Sequence, residues 1–203
     1  GMTPALAFNT AISFVTNTSW QNYPGESTLG HVGLVVGLGV QAFASCAVGM
    51  CVAAALIRGL AQYQMEEIGN FWVDLVRSVV RVLVPLSVFV TLVLLALGVV
   101  NNFHGAQVFS TLAGGNQTVL GGPVASWESI KLMSGDGGGA FNVNSAHPFE
   151  NPTPLSNVVE IVAMLIIPVA FLRTFGVMVG DKKQGWALFS AAAILFVIGA
   201  AAI

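Results

Sequence analysis

Four apolar stretches constrain this chain more than anything else in it. Each is close to the ~20 residues that a bilayer's hydrocarbon core requires of a helix. They run over Val32–Ile57, Val79–Val100, Leu155–Phe175 and Trp186–Ile203. Only 8% of the residues are charged, against about 25% in soluble domains, and those few sit near the ends of the stretches. The spacing predicts an all-α integral membrane protein with four transmembrane helices. Pro85 and Pro168 fall inside the second and third spans, where a membrane helix tolerates proline and usually kinks at it.

The basic residues orient these spans. Arg58, Arg77, Arg81, Arg173, Lys182 and Lys183 fall on one side if the spans run alternately inward and outward, starting inward. That is the positive-inside arrangement. Lys131 is the exception, because the same topology leaves Asn101–Thr153 outside. Asn101–Gly122 is rich in Gly, Asn and Gln and reads as exposed loop. Pro123–Met133 reads as a short helix, with Ser126 as its N-cap and Glu128 in its first turn. Glu66–Asp74, on the inner side, suits an interfacial helix leading into the second span, or a contact for a partner.

Two polar stretches break the apolar pattern in matching ways. One is Thr16-Asn17-Thr18-Ser19-Trp20-Gln21-Asn22, after a short helix begun by Thr3-Pro4-Ala5; the other is Ser134-Gly135-Asp136-Gly137-Gly138-Gly139, after the short helix ending at Met133. Thr16 and Gly135 are 119 positions apart, the length of a helix–loop–helix unit. Polar backbone at membrane depth persists only where it is buried in protein or lines a water-filled path. Together the stretches predict two re-entrant pore loops, although either alone reads better as an ordinary outer turn. Loop carbonyls can replace a cation's hydration shell, glycine frees the angles that aim them, and the C-terminal end of a short helix adds a negative dipole end. Thr16, Asn17, Thr18, Ser19, Gly135, Asp136, Gly137 and Gly138 are the candidate cation ligands. Gln21, Glu26 and Glu150 are candidates at the pore mouth. Glu160, the acid well inside the third span, is a candidate facing the pore or a partner. The helix-capping positions before that span are Asn151 and Thr153.

Other chemistries find little here. The glycine run lacks the Lys-Ser/Thr of a nucleotide loop. Cys46 and Cys51 lie in one apolar span without metal spacing, and His31, His104 and His147 are scattered. Neither a nucleophile–base set nor a basic run for nucleic acid is present. A cation is the expected ligand, with no organic cofactor.

Longer motifs carry a family resemblance. Phe8–Tyr23 with Gly25-Glu26-Ser27-Thr28-Leu29 is similar to the first pore loop of the KdpA family, the potassium-translocating subunits of bacterial Kdp ATP-driven pumps. Gly122–Ser126, Gly137–Asn142 and Asn144–Thr153 resemble the second loop. Ala55–Arg58, Gly69–Leu75 and Gly180–Trp186 extend the likeness along the chain. The resemblance implies membrane–pore–membrane repeats as in potassium channels. Residues 1–66 then form the end of repeat one, 67–180 repeat two and 181–203 the start of repeat three, a fragment of about a third of the subunit. It implies filter positions at Thr16, Asn17 and Thr18 and at Gly135, Asp136 and Gly137. Gly135-Asp136 departs from the family's usual Thr-Asn, and Glu160 stands where an uncharged polar residue is expected. The implied partners are a P-type ATPase subunit that hydrolyses ATP, a small peripheral subunit and a short single-span peptide. The implied site is the bacterial inner membrane, with the filter loops open to the outside. The alternatives are a Trk/Ktr-like potassium or sodium transporter without ATP drive, and a non-conducting remnant.

Overall fold

A computed structural model describes residues 1–16, 18–61, 67–135, 138–141 and 144–202, with the Glu26 side chain excluded. Asn17, Asp136 and Gly137 lie outside the described residues.

Helix α1 spans Pro4–Val15, with Thr3 Oγ1 accepting from the Leu6 amide at 3.3 Å and Pro4 in the first turn, where its missing N–H costs nothing. A single turn at Gly25–Thr28 leads into α2, Gly30–Ala61. Helix α3 is Phe71–Ala96, capped by Asn70, whose side chain accepts from the Val73 amide at 3.1 Å. Helix α4 is Val124–Ser134, α5 is Pro154–Met178 and α6 is Lys182–Ala201. Thr153 and Ser156 form a reciprocal capping box at the start of α5, and Asp181 caps α6. Helices α2, α3, α5 and α6 are long and apolar enough to cross a membrane.

Several boundaries depart from the sequence reading. Phe71–Asp74 is not a separate interfacial helix but the first turn of α3. Its amphipathic start hid the continuity. Helix α4 begins at Val124 after Pro123, so Ser126 is not the N-cap; its hydroxyl donates back to the Pro123 carbonyl at 2.9 Å. The stretch read as plain loop holds a small antiparallel hairpin, β1 Gln107–Ser110 with β2 Asn116–Val119, Gln107 opposite Val119. Val108, Phe109 and Val119 are strand formers, but the surrounding Gly and Asn masked them.

Proline is absorbed in two ways. A π-helical stretch, Val79–Leu83, lies just before Pro85, whereas α5 runs on through Pro168. A second π stretch, Gly33–Gly39, sits in α2. Such stretches are rare, and short π-bulges are frequent at functional sites.

The core is built around the short helix α4 rather than around a long one. Eight of its eleven residues are buried, and it touches α2, α3 and α5. Trp127, Leu132 and Met133 pack with Leu83, Leu94 and Ala47 from the surrounding spans. Helix α6 packs on α5.

Gly39 of α2 makes room for Trp127: a Cβ there would lie 3.2 Å from the indole ring, whereas one at Gly37 would meet nothing within 4 Å. Gly39→Val is expected to lower stability by about 1–3 kcal/mol, and Gly37→Val by much less. Thermal unfolding of the two purified variants in detergent checks this; equal midpoints would contradict it.

Candidate functional site

Both short helices are pinned by their C-terminal ends to one strut. The penultimate carbonyl of α1, on Phe14, accepts from Gln41 Nε2 at 2.8 Å. The penultimate carbonyl of α4, on Met133, accepts from the Cys46 thiol at 3.1 Å. Gln41 and Cys46 both belong to α2, five residues or about 7.5 Å apart along the axis. Phe14 and Met133 are 119 positions apart, the separation already noted for Thr16 and Gly135. The loops leaving the two helices share a further mark. Ser19 has φ 58° and Gly138 φ 89°, again 119 positions apart. For serine this left-handed conformation is uncommon. The far ends of the loops touch, because a Cβ on Gly25 would come within 3.3 Å of the Ala140 carbonyl.

The first loop folds back on α1. The Thr16 hydroxyl lies 2.9 Å from the Ile12 carbonyl and 2.9 Å from Thr18 Oγ1. With its single proton given to the carbonyl, Thr16 receives the Thr18 hydroxyl. The Thr18 amide donates to the Ser13 carbonyl at 2.9 Å, and the Ser13 hydroxyl holds the Trp20 carbonyl at 2.9 Å. Ser19 is buried with its hydroxyl unpartnered. Gln21 is half-buried beside it in sequence.

The second loop is held by a buried ionic cluster. Gly135 ends α4 in the left-handed region, φ 71°, where glycine carries no Cβ penalty. Beyond it, the Gly138 amide donates to Asn144 Oδ1 at 2.6 Å and its carbonyl accepts from Lys131 Nζ at 2.8 Å. Lys131, 2% exposed, pairs with Glu128 at 2.5 Å. The Ser145 hydroxyl accepts from Lys131 and donates to Glu128. Glu150 is fully buried against Gly139 and accepts from the Phe141 amide at 3.2 Å. Burial, with Glu128 nearby and Lys131 opposing, pushes the Glu150 carboxyl up to about 7. Glu160, 2% exposed, has one oxygen without a partner. It lines a cavity of about 290 Å³ with Lys131, Asn144, Ser145 and Asn157.

The structure therefore gathers Gly138 and Glu160 around the second loop, with Glu150 behind it. Thr16, Thr18 and Ser19 gather at the end of α1. Gln41, Cys46, Ser145, Glu128 and Lys131 are not among the site residues that the sequence suggests; Lys131 stands out there only as the basic residue on the outer side. Two signals were present: a lone amide inside an apolar span, and an acid–lysine pair at i, i+3 on a short helix.

Comparison with known proteins fits this geometry. A family described as KdpA, Potassium-transporting ATPase A subunit, matches residues 1–203. The potassium-transporting ATPase potassium-binding subunit of Mycolicibacterium vanbaalenii is 58% identical over 198 residues, 97% of this chain and 36% of that protein. The subunit so named from Kineococcus radiotolerans is 55% identical over 196 residues, 97% of this chain and 35% of its own length. That from Mycobacterium tuberculosis is 53% identical over 196 residues, again 97% of this chain, and 34% of that protein. The chain thus spans about a third of the length of the curated relatives it matches. With the matched length and these identities, the chain belongs to the KdpA family of potassium-transporting ATPase A subunits.

Proposed function

We propose that this chain is part of the potassium-binding subunit of an ATP-driven uptake pump, and that the loops following α1 and α4 line its ion path. The carrying observation is the pairing of the two short helices. Their equivalent carbonyls are pinned to one strut, which converges their negative dipole ends where a dehydrated cation is stabilised. Residues 1–66 close repeat one, 67–180 form repeat two and 181–203 open repeat three. Thr16, Asn17, Thr18 and Ser19 serve the first filter, and Gly135, Asp136, Gly137 and Gly138 the second. Gln21, Glu26, Glu150 and Glu160 serve the mouth and its lining. ATP hydrolysis resides on a separate P-type subunit, accompanied by a small peripheral subunit and a single-span peptide, in the bacterial inner membrane. The loops open outward, while Arg58 to Arg81 and Arg173 to Lys183 face the cytoplasm. The Arg58–Asp74 ion pair, which joins the end of α2 to the start of α3, supports one side for these residues.

Potassium-stimulated ATP hydrolysis by the intact complex tests the reading. Gln41→Leu frees the Phe14 carbonyl without altering either loop. It is expected to raise the KM for potassium about tenfold, near the 1.4 kcal/mol of one hydrogen bond, with assembly retained. An unchanged KM in an assembled complex would remove the strut from the ion path. Absence of potassium stimulation in the wild-type complex would sink the pump reading itself.

A further inference from the structure

The two loops are tied back by unlike chemistry. In the first, a neutral hydroxyl, Ser13, holds a loop carbonyl. In the second, a buried ammonium does so. We infer that Lys131 is a positioning residue of the second loop, a built-in cation that fixes the Gly138 carbonyl and so determines how this loop discriminates among alkali ions. The inference rests on the placement of that loop in the ion path.

Three observations carry it. First, Lys131 is 2% exposed and its ammonium meets three oxygens: Gly138 O, Ser145 Oγ and Glu128 Oε1. An ammonium has three donors, so all are used. Second, only one of these acceptors is needed to neutralise it; the Gly138 carbonyl is a directional contact, 2.8 Å long, made to the loop itself. Third, the loop's return is bent to complete the arrangement. Asn144 and Ser145 are consecutive non-glycine residues with φ 50° and 68°. Such strain persists only where surroundings over-determine it. Here Asn144 accepts from the Gly138 amide while Ser145 bridges Lys131 and Glu128. Gly138 is therefore fixed on both sides of its Cα, its N–H by Asn144 and its C=O by Lys131. A carbonyl held by lysine keeps a second lone pair for an ion, and its direction is fixed by the first. Among the described residues, the other titratable groups near the ammonium are Glu160 on α5 and Glu150 behind the loop, both buried.

A bland reading competes: the pair with Glu128 merely fills the core, and the loop contact is incidental. The two readings part in a double variant. Lys131→Met alone leaves Glu128 buried without its partner, which by itself destabilises strongly. Glu128→Gln with Lys131→Met removes both charges at similar volume, and replacements of that kind are often tolerated.

The experiment uses the intact complex containing the full-length subunit. Potassium- and rubidium-stimulated ATP hydrolysis are measured for wild type, the double variant and Ser13→Ala, with assembly checked by size-exclusion chromatography. The double variant is expected to assemble, to keep kcat within about twofold, and to raise the potassium KM about tenfold while compressing the potassium-over-rubidium ratio of kcat/KM. Ser13→Ala, which loses one neutral tether, is expected to shift KM less. A double variant with wild-type KM and ion ratio overturns the positioning role and leaves the ion path intact. A double variant that fails to assemble, while Glu128→Gln alone assembles with unaltered ion selectivity, also overturns it, by making Lys131 a folding residue. A wild-type complex without potassium stimulation overturns the parent reading and this one with it.

Discussion

Gly185→Val is expected to separate α6 from α5. A Cβ at Gly185 would lie 2.9 Å from the Leu172 carbonyl and 3.1 Å from Gly176 Cα. Both are backbone atoms, so no side chain can swing away to relieve the clash. Gly185 is also the residue that α6 buries among its described positions. In membranes, small residues are what allow helix backbones to approach, because lipid supplies no hydrophobic drive between helices. The loss is expected near 3 kcal/mol, at the upper end for overpacking. Gly199→Val on the same helix, where a Cβ meets nothing within 4 Å, provides the comparison. Thermal unfolding together with protease cleavage of the turn between α5 and α6 reads the outcome. Equal midpoints and equal cleavage for the two variants would show that the close approach is not what holds the pair.

The second large effect is a pH dependence centred on Glu150. Its carboxyl is fully buried, and its pKa rises from an ordinary 4.5 to about 7, chiefly through burial, then through Glu128, with Lys131 opposing. In the unfolded chain the same carboxyl ionises at its ordinary value. Between about 4.5 and about 7 the folded protein binds more protons than the unfolded one, so stability falls as pH rises across that window. The contribution is full below the lower value and lost above the upper one. Its size is on the order of 3 kcal/mol. Glu150→Gln, which keeps an oxygen for the Phe141 amide, is expected to flatten the dependence. Denaturation midpoints of the two proteins from pH 4.5 to 8 test this. An unchanged slope in the glutamine variant would assign the titration elsewhere in the cluster.

The membrane spans were legible because length and apolarity alone specify them. Their ends were less so. Phe71-Trp72-Val73-Asp74 joins α3 although its polarity resembles a surface helix, since an amphipathic first turn and a separate interfacial helix share one pattern. The hairpin of β1 and β2 escaped notice because its strands are four residues each, too short for alternation to register. At the site, the positions of the two polar loops could be read from the 119-residue separation and from the break each makes in the apolar pattern. What holds them could not. Gln41 reaches Phe14 across 27 positions and Cys46 reaches Met133 across 87, and no local period encodes such contacts. Lys131 shows a different limit. A lysine on a short polar helix resembles a solvated one until the fold closes over it.

The shared strut bears on how such a subunit can move. Two loops attached to separate supports could shift independently, each opening or tightening alone. Here one rod carries the ends of both α1 and α4, so a slide or tilt of α2 transports both loops as a single body and preserves their stagger. The two identified bonds are unequal, an amide donor at 2.8 Å and a weaker thiol donor at 3.1 Å, but packing reverses that order. Helix α4 buries eight of its eleven residues whereas α1 buries Ser13 and Phe14, so the more compliant of the two attachments is that of α1, at Gln41.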